Sequence, residues 1–260
     1  MIVPNALRHL RLRMLMARDL LNWREAWAGY MHAAAMPPLR FRNGLVLHHG
    51  PGDSAGFLFF EVFANGCYRH GLPRTLAGDV IDVGANIGAF TLDAATRYAP
   101  STVHAYEPDP RTFAVLRHNV EANGLSSRVR VWNEAVAGAP GTLTLWRGEG
   151  SIAASTHAAA HHASECCEVP AVTLQTVVER AATRIALLKM DAEGAEADIL
   201  EGAGTALGAV DRIVAEYHDW LVPDVLPRVE RVLRPRFDVR AGHGRRRGSM
   251  FTARRRQDGI

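Results

Sequence analysis

Lysine is almost absent: Lys189 is the only one in the 260-residue chain, so of the 30 basic residues all but that one are arginine. A lysine-based polybasic tail is thereby excluded, and the single exception calls for its own explanation. No window of about 18 residues is apolar and free of charge, which excludes a membrane-spanning helix. Arg8, Arg11, Arg13, Arg18 and Asp19 interrupt the first 30 residues, so no secretory signal is read there. Cysteine is scarce. Cys67, Cys166 and Cys167 are odd in number and include an adjacent pair, a poor disulfide framework that suits a reducing, cytoplasmic setting. What remains is globular: 48% hydrophobic and 22% charged residues exclude wholesale disorder, and the net charge is only +3. The runs Arg245-Arg246-Arg247 and Arg254-Arg255-Arg256 are read as the solvated ends of a terminal hairpin rather than as a phosphate-binding patch.

Apolar residues at helical spacing, Leu7, Leu10, Met14, Leu20, Trp23, Trp27 and Tyr30, predict an amphipathic helix or helix pair over residues 6–34, stopped by Pro37-Pro38. This pair is the expected surface for docking on the chain's own domain or for a homo-oligomer. Residues 39–49 and 57–63 read as strands around a turn at Gly50-Pro51-Gly52-Asp53. Strands and helices then alternate. Strands are expected at 80–83, 102–106, 129–132, 185–190 and 212–217. Helices are expected at 88–98, 110–123, 172–180, 195–203 and 223–233. Residues 143–146 form an extra strand, and 237–240 with 249–253 a final antiparallel hairpin. Such alternation demands an α/β fold, a doubly wound and mostly parallel sheet covered on both faces. The division expected is an N-terminal helix and β-hairpin extension over residues 1–75 and a cofactor-binding domain over 76–260. Residues 147–168, rich in Ala, Ser and His, break the rhythm and are read as a lid-like insertion.

The run Asp82-Val83-Gly84-Ala85-Asn86-Ile87-Gly88 follows a strand and opens a helix, where free backbone N–H groups meet a ligand. In a dinucleotide fingerprint the second glycine touches pyrophosphate. Here Asn86 stands in that place, which favours S-adenosylmethionine, a ligand without pyrophosphate. Glu107 ends the next strand, 25 residues after Asp82, where a carboxylate grips both hydroxyls of a ribose. The expected cofactor contacts are Asp82, Gly84, Ala85, Asn86, Gly88, Glu107, Pro108 and Asp191, with Asn133 and Glu134 beside the adenine.

Four further segments follow in order: His104-Ala105-Tyr106-Glu107-Pro108, Val172-Thr173-Leu174, Leu188-Lys189-Met190-Asp191-Ala192-Glu193-Gly194-Ala195-Glu196, and Ala215-Glu216-Tyr217-His218. With the glycine loop they give a sequence that resembles the FkbM-type family of S-adenosylmethionine-dependent methyltransferases over roughly residues 40–255. The resemblance implies a Rossmann-like class I methyltransferase fold and transfer to an oxygen of a small molecule, such as a natural product or a sugar-containing metabolite. It leaves the acceptor open.

Methyl transfer from a sulfonium is an in-line displacement that must also dispose of the acceptor's proton. In a doubly wound sheet the chemistry lies beyond the carboxyl ends of the strands, where Asp191, Glu193, Glu216 and His218 are expected to converge. Asp191 is read as facing the methionine end, and Glu193 and His218 as base or acceptor-positioning groups. Lys189, in a strand otherwise apolar, is read as holding Asp191 ionised. Asp191 and Glu193 are hard oxygen donors, so a Mg²⁺ ion would fall to them if one assists. His157, His161, His162, Cys166, Cys167 and Glu168 are read as lid residues rather than as a structural zinc site. Two other functions are weighed. A nucleic-acid methyltransferase would want a Pro-Pro-aromatic run where Ala192-Glu193-Gly194 stands, so nucleic acid is not the expected partner. A non-catalytic cofactor-binding protein would bind the cofactor and transfer nothing.

Overall fold

The structure is a computed structural model, and it describes residues 5–32, 36–50, 55–147, 154–155, 165–242 and 249–256. Two helices open it, α1 (Asn5–Asp19) and α2 (Trp23–His32). Two-residue strands follow, β1 (Leu39–Arg40) and β2 (Val46–Leu47), which pair antiparallel. Next comes a helical stretch made of α3 (Ala55–Leu58), a π-helical segment Phe59–Asn65 and a 3-10 turn Cys67–Arg69. Residues 57–63 are therefore helical and not the expected strand. Leu58, Phe59, Val62 and Phe63 are buried while Phe57 is exposed, a helical spacing that a short apolar run conceals. The β1–β2 ladder is shorter than expected and turns at Asn43 and Gly44, and most of the expected turn, 51–53, lies outside the described residues.

The main sheet has seven strands: β3 (Asp79–Val83), β4 (Val103–Tyr106), β5 (Val129–Trp132), β10 (Ile185–Met190), β11 (Arg212–Tyr217), β12 (Phe237–Gly242) and β13 (Ser249–Arg255). Their spatial order is β12-β13-β11-β10-β3-β4-β5, parallel throughout except for β13. Four further strands make a second sheet: β6 (Ala135–Ala137), β7 (Gly141–Arg147), β8 (Ala154–Ser155) and β9 (Glu165–Thr173). The linking helices are α4 (Ala89–Arg97), α5 (Pro110–Ala122), α6 (Leu174–Glu179), α7 (Glu196–Glu201) and α8 (Val225–Leu233). Every residue of β3 and β10 is buried, as parallel strands covered on both faces must be. α5 starts where its sequence says: Asp109 caps the Arg111 N–H and Pro110 takes the first turn.

The expected helix over 172–180 begins later. Val172 and Thr173 still pair with Val136 and Ala137 of β6, and the Thr173 side chain then caps α6. The ends of the insertion expected over 147–168 are strand residues, with Arg147 closing β7. Residues 165–168 belong to β9, whose register with β7 runs from Arg147↔Glu165 to Gly141↔Ala171. Cys166 and Cys167 are thus strand residues with free thiols, whereas His157, His161 and His162 lie outside the described residues. Arg255 is no solvated end: it donates to the Val210 and Leu207 carbonyls and lies over the Phe237 ring.

The order in which strands are added reverses at β3. From there β4 and β5 build one way while β10 and β11 build the other, which opens a crevice beyond the carboxyl ends of β3 and β10. The helices α1 and α2 contribute Leu12, Met16 and Ala26, and the turn between them Leu20, to the same apolar cluster as Phe59, Val80 and Leu92. Leu7, Leu10 and Met14 remain exposed on α1. Among the described residues no helix is long and apolar enough to cross a membrane.

Candidate active site

The loop after β3 lies at the mouth of that crevice. Gly84 and Gly88 have positive φ (70° and 91°), as does Asn86 (53°). A side chain at Gly84 would collide with the Asp191 carbonyl oxygen, so glycine is what lets this loop touch the end of β10. Asn86 folds its amide oxygen back onto the Ile87 N–H (2.7 Å), and the buried Asn119 amide holds the Ile87 carbonyl (2.8 Å).

Glu107, at the end of β4, is 6% exposed. Its Oε2 accepts from the Asn86 N–H (2.8 Å) and its Oε1 from the Asp109 N–H (2.9 Å). Burial raises its pKa to about 7, against the lowering effect of those two backbone bonds. Each carboxylate oxygen has a second lone pair, so the group can still receive two hydroxyls. Asn133 donates to the Glu107 and Pro108 carbonyls (2.9 Å each) and so braces the turn from behind. Glu134 pairs with Arg180, whose guanidinium lies over the Trp132 ring.

Register decides the role of Lys189. In adjacent parallel strands it stands opposite Asp82, on the same face of the sheet. Its Nζ lies 3.1 Å from Asp82 Oδ1 and donates to the Gly84 carbonyl at 2.7 Å. Both residues are buried, and Asp82 also accepts from the Thr91 hydroxyl (2.6 Å). Lys189 thus braces Asp82 and the glycine loop rather than Asp191 as expected. Asp82 itself supports the loop from below.

Asp191, Glu193, Glu216 and His218 converge as expected. The Nε2 of His218 lies 3.8 Å from Asp191 Oδ1, 3.6 Å from Glu193 Oε2 and 3.8 Å from Glu216 Oε1. Its Nδ1 lies 2.8 Å from Oε1 of the fully buried Glu196. Burial opposes a charge on His218, but the bond to Glu196 and the surrounding carboxylates outweigh it and push its pKa up to about 10. Burial and the charge of Asp191 raise Glu193 and Glu216 well above the ordinary carboxyl range. Glu193 adopts positive φ (46°), held in a tight loop whose Ala192 and Gly194 N–H groups donate to Glu196.

Three residues that touch this cluster or feel its charge escaped the sequence reading. Tyr68, 3% exposed, donates its hydroxyl to Asp191 Oδ2 at 2.9 Å and lays its ring 5.2 Å from the Lys189 ammonium. Glu61, in the π-helical segment, is raised to about 7 by burial and by the charge of Asp191. Its only signal was an acid inside an apolar run, the same kind of signal that singled out Lys189. Glu196, the partner of His218, was indistinguishable from a helix-face acid.

Known proteins resemble this chain in sequence and in fold. The model of the FkbM methyltransferase domain matches residues 82–234. The chain is 33% identical over 238 residues to the 31-O-demethyl-FK506 methyltransferase FkbM of Streptomyces tacrolimicus, covering 79% of this chain and 87% of that one. It is 28% identical to methyltransferase sdnD of Sordaria araneosa, over 77% of this chain and 90% of the relative. Among solved structures, the methyltransferase FkbM of Methylobacillus flagellatus KT superposes with a TM-score of 0.50 at 14% identity. That match covers 96% of this chain but only 60% of the longer protein, and it bears on the fold alone.

Proposed function

Because the chain belongs to the FkbM family of methyltransferases, we propose that it moves a methyl group from S-adenosylmethionine to a hydroxyl of a small natural product. The observation that carries this reading is the meeting of two half-sites across one crevice: the Gly84–Gly88 loop with Glu107, and the carboxylate cluster at Asp191. The residues fit the cofactor. Glu107 keeps acceptor capacity for ribose hydroxyls, and the positive-φ loop presents backbone at close approach. When bound, S-adenosylmethionine supplies a methyl on a sulfonium, whose S–CH₃ bond breaks as the new O–CH₃ bond forms and which leaves as a neutral thioether.

The chain's own residues then have separable tasks. Lys189 and Asp82 fix the loop. Tyr68 orients Asp191. Glu196 holds Nδ1 of His218, whose Nε2 faces Asp191, Glu193 and Glu216 at 3.6–3.8 Å. A carboxylate of that cluster receives the acceptor's proton. Asp191 and Glu193 are also the two oxygen donors toward which a Mg²⁺ ion would turn.

A small acceptor is favoured over nucleic acid, because Arg255 is spent on backbone carbonyls and Arg256 pairs with Asp238. The names of the relatives, which include an enzyme acting on a demethylated FK506, point to natural-product acceptors. Calorimetry tests the cofactor half. S-adenosylmethionine should bind and NAD should not, and Glu107→Ala should weaken binding by about 1.5–3 kcal/mol, the scale of a charged hydrogen-bonding group. Unchanged affinity in that variant removes Glu107 from the ribose. Mass spectrometry of a polyketide and aminosugar panel tests the rest: cofactor binding without transfer to any hydroxyl would favour a non-catalytic protein.

A further inference from the structure

Five carboxyl groups, Glu61, Asp191, Glu193, Glu196 and Glu216, influence the surroundings of His218. The nearby ammonium of Lys189 is already paired with Asp82. One ligand atom each from Asp191, Glu193 and His218 lie within 4.8 Å of one another. Acids alone would make no site, but His218 adds an independent sign. It is 3% exposed, and its Nε2 points among the carboxylates with none nearer than 3.6 Å, outside hydrogen-bonding distance. A buried imidazole nitrogen is thus aimed at a point shared by oxygens that it does not bond.

Two atoms facing away from that point are braced. Oε1 of Glu196 holds His218 Nδ1 at 2.8 Å, the arrangement that fixes a ligating imidazole and presents Nε2. The Tyr68 hydroxyl holds Asp191 Oδ2 at 2.9 Å, leaving Oδ1 as the atom nearer His218. Glu193 is set by a positive-φ turn whose neighbouring N–H groups donate to the same Glu196.

We propose that Asp191, Glu193 and His218 form a binding site for one divalent cation of the Mn²⁺ or Fe²⁺ class, with Tyr68 and Glu196 as the groups that hold its ligands. The proposal deepens the reading of this cluster as the acceptor end of a methyltransferase site, and it moves beyond Mg²⁺. Two carboxylates suit Mg²⁺ and Mn²⁺, imidazole suits Fe²⁺ and its neighbours, and the mixed set meets at Mn²⁺ and Fe²⁺. Three protein ligands leave coordination positions open, which is where an acceptor hydroxyl would gain acidity.

The test is direct binding of Mn²⁺ to the full chain, with neither cofactor nor acceptor present, read from loss of the free-ion electron paramagnetic resonance signal. Mn²⁺ is the probe because its preference for oxygen keeps Cys166 and Cys167 from competing. One saturable site is expected. His218→Gln and Glu193→Gln should each weaken it by roughly 10-fold or more, and Tyr68→Phe by roughly 10-fold through Asp191. Glu193 is only partly buried, so its variant keeps the test open if His218→Gln misfolds; thermal melting without the ion checks both. No saturable binding up to millimolar Mn²⁺, or variants that bind as well as wild type, would overturn the site. Methyl transfer indifferent to Mn²⁺ and to chelator, in a chain that binds no Mn²⁺, would discard the ion and keep the enzyme. Saturable Mn²⁺ binding that the variants lose, with no methyl transfer, would do the reverse.

Discussion

Replacing Lys189 by Met separates a structural lysine from a catalytic one. Lys189 is 3% exposed and Asp82 is fully buried, so their 3.1 Å ion pair gets little screening from water. The substitution keeps a long unbranched side chain and removes the cation paired with Asp82, which retains the Thr91 hydroxyl. It also takes the donor from the Gly84 carbonyl. Stranding one member of a buried pair costs about 3–5 kcal/mol. That is a large share of the roughly 5–15 kcal/mol by which a domain is stable. Equilibrium urea unfolding, followed by far-UV circular dichroism, measures it.

The double variant sharpens the test. Asp82→Asn removes the charge that Lys189→Met leaves behind, so Asp82→Asn with Lys189→Met should be less destabilised than the sum of the two single variants. The expected coupling is about 0.5–3 kcal/mol. If Lys189→Met unfolds within about 1 kcal/mol of wild type while methyl transfer is abolished, the lysine acts in the chemistry and the ion-pair argument is wrong. Additive single variants would refute it equally.

Other expectations follow from single contacts. Gly84→Ala should abolish cofactor binding in calorimetry and lower the melting temperature, because a Cβ meets the Asp191 carbonyl and the backbone has φ of 70°. Arg255→Ala should destabilise by about 1–3 kcal/mol in urea, since the Val210 and Leu207 carbonyls lose their donor. His104 gives a pH signature: burial lowers its pKa against the pull of Asp79, so the folded state prefers it neutral. Its contribution is therefore complete above the unfolded value of about 6.5 and declines as pH falls below it; His104→Gln should flatten the stability profile below about pH 6.5.

Much of the fold was legible because its signals are local. Buried parallel strands announce themselves as apolar runs, and Asp109-Pro110 and Asn123-Gly124 mark the ends of α5. The glycine loop of the candidate site was legible for the same reason, as Gly84 and Gly88 sit where only a positive φ fits. What was illegible depends on register or on distant chain. That Lys189 faces Asp82 follows from the β10–β3 register, which no property of either segment states. Residues 57–63 misled because a short apolar run fits strand and helix alike until its neighbours choose.

The N-terminal segment shows what this difference means for the chemistry. Residues before β3 contribute Tyr68 to Asp191 from 123 positions away, and the charge of Asp191 reaches Glu61. Those groups sit on a π-helical turn and the 3-10 turn after it, packed through Phe59, Val62 and Phe63 into the cluster that also holds Leu12 and Met16 of α1. The matched methyltransferase domain begins only at Asp82. The segment outside it therefore holds, through the Tyr68 hydroxyl, an acid at the end of β10 that belongs to the matched domain. Asp191, Glu193, Glu216 and His218 lie inside the matched domain and were legible from their place at the ends of β10 and β11, whereas Tyr68, which bonds Asp191, and Glu61, which feels its charge, lie outside it and emerge only from the packed structure.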